Sequence, residues 1–302
     1  MSVIDAVGNT PLIPLRKMAE KKGTEILAKL EGCNPGGSVK DRPALYILRK
    51  AEESGELEPG KIVLEATSGN MGISLAMICS AKGYQAKLFM PECVSLERRR
   101  IIEAFGAEVV LTPGCEGTDG AINRARELVK EEPDTYYHPD QFSNPWNVLA
   151  HYETTGPEIF AQTGGDIDAF VCGIGTTGTI MGTGKYLKEN MESVMVVGVE
   201  PPEGHTIQGL KNLKEAAIPG IYDSSLLDEK ITIGDDAAFN TSRLLAIREG
   251  VFTGISSGAA VAGALSVAEE IGGGRIVTIL PDRGDRYLST NLFRSVCAKC
   301  PP

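Results

Sequence analysis

Short apolar runs alternate along this chain with amphipathic or small-residue stretches, and most junctions carry glycine. The runs predict strands over 26–30, 62–65, 86–90, 108–111, 169–172, 194–200 and 275–280. Helical spacing predicts helices over 44–53, 72–82, 96–105, 121–130, 236–248 and 259–271. Apolar strands separated by helices imply parallel sheets covered on both faces, so the expected fold class is α/β. The stretch 144–165 is the least regular and marks a plausible domain boundary near Gly156 and Pro157.

Composition narrows the setting. Hydrophobic residues make up 42% and charged residues 23% of 302 positions, as in a soluble globular protein. A net charge of −10 argues against nucleic acid or an anionic membrane as the main partner. No apolar run reaches membrane-spanning length, and "MSVIDAVGNTPL" lacks a basic start and an apolar core, so a cytoplasmic protein is expected. Seven scattered cysteines suit reduced thiols. Cys297 and Cys300 form a lone C-x-x-C without the second pair that zinc needs, and His138, His151 and His205 lack ligand spacing. No metal is expected.

Open α/β sheets bind ligands beyond the carboxyl ends of their strands, so the strand-to-helix turns carry the candidate chemistry. The first, "GCNPGGSVKDRP", leads into a helix starting between Ser38 and Arg42, with Pro43 in its first turn. Lys40 is thus expected at a helix N-terminus, where the dipole lowers an amine's pKa. It reads either as a nucleophilic or Schiff-base lysine or as a surface lysine paired with Asp41. The second, "EATSGNMG", gathers Thr67, Ser68 and Asn70 before a helix, as a small-anion site or an ordinary N-cap. Three capping residues exceed what one cap uses.

The third turn, "GIGTTGT", matches the G-x-G-x-x-G dinucleotide fingerprint at Gly173, Gly175 and Gly178, with Glu200 ending the next strand where a ribose-binding acid would stand. It contains no cation, so a phosphate would be held by backbone N–H groups and threonine hydroxyls. A P-loop is excluded, because Thr179 stands where Walker A has glycine and Tyr186 where it needs Ser or Thr. A fourth turn, "GISSGAA", sets Ser256 and Ser257 before an alanine-rich helix.

Taken together, "NPGGSVKDR", "TSGN", "GTTGT", "DQFSNP", "HYETTGPEI", "GISSGAAVAGAL" and "DRGDRYLST" resemble the pyridoxal-phosphate enzymes of the cysteine synthase and cystathionine β-synthase family, fold type II. The resemblance covers essentially the whole chain and is strongest to the cysteine synthase branch. It implies two α/β domains, each with a mainly parallel twisted sheet, and an active site in the cleft between them. The smaller domain would span 38–150, and 1–37 would join 151–302 in the larger. Pyridoxal 5′-phosphate is the implied cofactor, with Lys40 forming the internal aldimine and Asn70 meeting its 3′-oxygen. Gly175, Thr176, Thr177, Gly178 and Thr179 would hold its phosphate, and Ser256 would meet the pyridine nitrogen. Thr67, Ser68 and Gln141 would take the substrate α-carboxylate, with position 71 in the same loop.

The implied reaction joins an O-activated serine (O-acetylserine or O-phosphoserine) to sulfide through an α-aminoacrylate, giving L-cysteine. A homodimer is implied as well, while a serine acetyltransferase or sulfur-carrier partner stays open. Three departures touch specificity. Met71 stands where the usual pattern has threonine, Lys211 and Asn212 replace an arginine pair, and Pro281 replaces a cysteine. A compact cystathionine β-synthase or a sulfide-releasing lyase would use the same lysine. An NAD-binding oxidoreductase would explain only the third turn and Glu200, leaving Lys40, Asn70 and Ser256 without purpose.

Overall fold

The computed structural model describes residues 2–19, 21–67 and 69–293. Its strands in chain order are β1 (Leu12–Pro14), β2 (Thr24–Leu30), β3 (Ile62–Ala66), β4 (Gln85–Pro91), β5 (Glu108–Thr112), β6 (Tyr136–Tyr137), β7 (Ala169–Gly173), β8 (Met195–Glu200), β9 (Glu229–Thr232) and β10 (Gly274–Leu280). The helices are α1 (Asp41–Ser54), α2 (Asn70–Lys82), α3 (Leu96–Ala104), α4 (Gly117–Glu131), α5 (Pro145–Ala150), α6 (Gly156–Thr163), α7 (Gly178–Asn190), α8 (Asp235–Leu244) and α9 (Ile255–Glu270). One sheet runs β1-β2-β10-β7-β8-β9 and the other β5-β4-β3-β6.

All pairings are parallel except β1 against β2. Parallel strands need both faces covered, which is why Ala169, Phe170 and Val171 of β7 and Ile276, Val277 and Ile279 of β10 are all buried. The faces are covered by two kinds of helix. α2 and α9 bury residues on nearly every side and sit deep in the protein. α1 buries Ala44, Leu45, Ile47, Leu48 and Ala51, a stripe at helical spacing, and turns its other side outward.

The expected strands are all present, with ends moved by at most two residues. Three strands escape the pattern: β1 and β6 are too short for a period, and β9 reads "EKIT" with polar residues on one face. The stretch 144–165 is a correction. It is helical from Pro145 through Thr163, as α5, a wider π-type turn over His151–Thr155, and α6. The π-type turn adds a residue per turn and shifts the apolar face, so a 3.6 period cannot be read across it. Gly156 and Pro157 lie at the start of α6. A similar wide turn, Leu245–Glu249, ends the helix expected over 236–248.

The turns that leave β2, β3, β7 and β10 converge at the carboxyl ends of their strands. Val39 N donates to Pro281 O at 2.8 Å, and Ser38 bridges Asp282, so the lysine turn is fastened to the end of β10.

Candidate active site

These turns enclose a cavity of about 470 Å³, with Lys40, Thr67, Asn70, Gln141, Thr176 and Ser256 among its walls. A cavity of that size suits one cofactor with a small substrate. Lys40 is the N-cap residue of α1, and its Nζ donates to Thr176 Oγ1 at 3.2 Å. It makes no ion pair with Asp41, whose carboxylate turns inward to accept from Gly36 N at 2.6 Å and from the Ser74 hydroxyl. Burial lowers the Lys40 amine to about 8. The direction matches the sequence expectation, but the main cause is desolvation rather than the helix dipole.

The third turn makes a cup at the start of α7. Thr177, its N-cap, has φ of 70°, unusual for a β-branched residue and costing about 1–3 kcal/mol. Its buried Oγ1 has no hydrogen-bond partner in the protein. Thr176 Oγ1 also accepts from Asn147 Nδ2 at 3.2 Å, and Thr179 Oγ1 meets His151 Nε2 at 3.2 Å. Burial, then the charges of Arg42 and Lys40, hold His151 well below its ordinary pKa, so the ring is neutral. At Gly178 any Cβ would strike the Asn147 amide, and at Gly175 it would lie 2.6 Å from Gly209 O. A strained turn, free helix-start N–H groups and an unpartnered hydroxyl fit a phosphate, because each leaves a donor unspent. Glu200 lies elsewhere, accepting from Leu213 N and Lys230 Nζ, each at 3.1 Å.

Of the second turn, Thr67 is buried, with Oγ1 accepting from Gly69 N at 3.1 Å; Ser68 lies outside the described residues. Met71 is buried in the first turn of α2 and faces the cavity, where its thioether offers no donor. Gln141 is buried and lines the cavity, its backbone oxygen accepting from Asn147 Nδ2 at 2.8 Å. Ser256, in the first turn of α9, faces the cavity near Gly209. Of the two replaced arginine positions only Lys211 reaches the cavity, with Nζ 4.2 Å from the centre of the Phe142 ring; Asn212 turns away to donate to Pro201 O. Burial lowers the Lys211 amine.

Several residues of the site carry no signal in the turns themselves. Asn147 and His151 belong to the stretch that looked irregular, and only the likeness of "HYETTGPEI" to a family motif could have pointed there. Arg98 stands in "ERRR" of the helix expected over 96–105, and it is buried. It donates to Gln208 Oε1 at 2.6 Å and lies 4.9 Å over the Tyr287 ring. Among the described residues no group of three or more His, Cys, Asp or Glu could hold a metal, and Cys297 and Cys300 lie outside them. No described helix is long and apolar enough to cross a membrane.

The chain is similar to known proteins over nearly its whole length. The family model for pyridoxal-phosphate dependent enzymes matches residues 3–282. Cysteine synthase B of Escherichia coli (strain K12) is 49% identical over 294 residues, 97% of this chain and 96% of that protein. Among solved structures, O-ureido-L-serine synthase superposes with a TM-score of 0.93 at 43% identity, covering 98% of this chain and 96% of that one. The cysteine synthase of Entamoeba histolytica does so with a TM-score of 0.92 at 39% identity, covering 98% and 92%. The chain belongs to the pyridoxal-phosphate dependent enzymes of fold type II, in the cysteine synthase branch.

Proposed function

We propose that the chain makes L-cysteine from an O-activated serine, O-acetylserine or O-phosphoserine, and sulfide by β-replacement. The observation that carries this reading is the meeting, in one cavity, of a desolvated lysine amine with the hydroxyl of a phosphate-type turn, Lys40 Nζ to Thr176 Oγ1 at 3.2 Å. Relatives named cysteine synthase that match over nearly the whole chain supply the substrate class. Bound there, pyridoxal phosphate supplies an aldehyde for Lys40 and an electron-withdrawing ring that lets Cα lose its proton and Cβ its leaving group.

The remaining work falls to this chain. Lys40 Nζ, with its cationic form disfavoured, takes the proton from Cα. Residues 175–179 would hold the phosphate, Asn70 and Ser256 would border the ring, and Ser256, being neutral, would leave the ring nitrogen without a countercharge. Thr67, Ser68 and Gln141 hold the substrate carboxylate, while Met71 closes that end of the cavity without donating. We further propose that residues 38–150 form the smaller domain, that the larger combines 1–37 with 151–302, and that the protein works as a cytoplasmic homodimer.

The test is to add O-acetylserine, O-phosphoserine, serine and cysteine separately to the yellow protein, with sulfide, and to follow absorbance and L-cysteine. Formation of L-cysteine from one activated serine, lost in Lys40→Ala, is expected. A protein that stays colourless with pyridoxal phosphate would sink the reading. A second nucleophile in place of sulfide is favoured by Met71 and Lys211 in the cavity and by the likeness to O-ureido-L-serine synthase. The same assay with other nucleophiles separates the two.

A further inference from the structure

A hydrogen-bond chain borders the cavity without touching the phosphate turn. Asn70 Nδ2 donates to Asp282 Oδ2 at 2.6 Å, and Asn70 Oδ1 accepts from Arg286 Nη1. The partners fix which end of the amide is which, because a carboxylate only accepts and a guanidinium only donates. Tyr287 donates its hydroxyl to the same Asp282 oxygen at 2.8 Å. Arg286 also donates to Gly36 O, in the turn that carries Lys40. Asp282, Arg286 and Tyr287 are all buried, and ionic groups are costly there unless bonded. An amide nitrogen has two hydrogens. Asp282 takes one, and the other is left for the cavity that Asn70 lines.

We propose that Asp282 is a positioning residue for Asn70. With Arg286 at the other end, it locks the amide so that its second N–H is presented to the cofactor, and Arg286 ties that alignment to the lysine turn. The inference rests on the cavity being the pyridoxal-phosphate site. It adds to that site two ionic residues more than 200 positions away in sequence, Asp282 and Arg286 lying 212 and 216 residues from Asn70.

Asp282→Asn keeps the shape but replaces an acceptor-only group with one that also donates. Its kcat should fall roughly ten- to hundredfold with KM for the amino-acid substrate little changed, as expected for losing a hydrogen bond to a charged group. The visible band of the bound cofactor should shift, and reconstitution of the apoprotein should show weaker cofactor binding. In an Asn70→Ala background the same change should cost nothing further, since Asp282 acts through Asn70. Equal loss in both backgrounds, or an unmoved band with unmoved kcat, overturns the proposal. If Asp282→Asn does not fold, Arg286→Lys, which keeps the charge but loses the fork, must show the same dependence on Asn70; an equal loss in both backgrounds overturns it there too. Wild-type protein that takes up no cofactor would instead overturn the functional reading beneath it.

Discussion

The Lys40 amine is set near 8 because burial strips water from its cationic form, and beside it the same burial pushes the Cys172 thiol up to about 12. Only the neutral amine attacks an aldehyde. Below pH about 8 the neutral fraction gains tenfold per unit, and above it the gain stops. Capture of pyridoxal phosphate by the apoprotein, followed by visible absorbance, should therefore rise with pH and level off near 8. A rate still climbing at pH 10 would mean an ordinary lysine. The stability sign agrees: the buried cation penalises the fold below about 8, and that penalty is relieved as pH rises from there toward 10.5. The helix start at Lys40 was legible in "GGSVKDRP". The burial that does most of the shifting was not, because Cys172 and Thr176 reach the amine only through the fold.

α6 contributes one residue to an ion cluster that joins it to α1 and β2. Glu158 pairs with Arg42 at 2.6 Å and with Lys29 at 2.7 Å, while Glu31 pairs with Arg42 at 2.7 Å. Burial alone would raise the Glu158 carboxyl, but hydrogen bonds and charge from Arg42, with Lys29 adding to them, outweigh it and hold it at about 2. Glu158→Gln leaves two buried cations facing one carboxylate, so a loss of about 3–5 kcal/mol is expected, read from the denaturant midpoint. The group's contribution is complete above its unfolded value of 4.5 and fades as pH falls toward 2. The variant should accordingly lose less stability than wild type over that window. A midpoint within about 0.5 kcal/mol of wild type would rule out a cohesive role for the cluster. None of this showed in the sequence, since Pro145, Pro157 and the wide turn between them hid a helical run behind a broken period. By contrast β7 was plain, because its apolar run stands unbroken before a glycine turn.

For the molecule as a whole, periodicity marked seven of the ten described strands but not their partners. Thr24 of β2 pairs with Gly274 of β10 across 250 positions, a contact that no local pattern encodes. The same pairing brings the lysine turn to the end of β10, and with it the cavity takes walls from both sheets: Thr67 and Asn70 after β3, Thr176 after β7. A cofactor held as proposed, at its phosphate end by the α7 turn and at its aldehyde end by Lys40, would bridge elements that the unfolded chain leaves apart. Ligand that binds only the folded form stabilises it by mass action, by about 2.7 kcal/mol at a hundred times Kd. For a chain of this length that is a rise in Tm on the order of 4 °C. Calorimetry of apoprotein with added pyridoxal phosphate should show it. Lys40→Ala should keep part of the rise, because the Thr176, Thr177 and Thr179 hydroxyls and the free N–H groups of α7 remain to bind the phosphate. A Tm that ignores the cofactor in wild type would remove the α7 turn from the site, and a full rise in Lys40→Ala would remove the lysine.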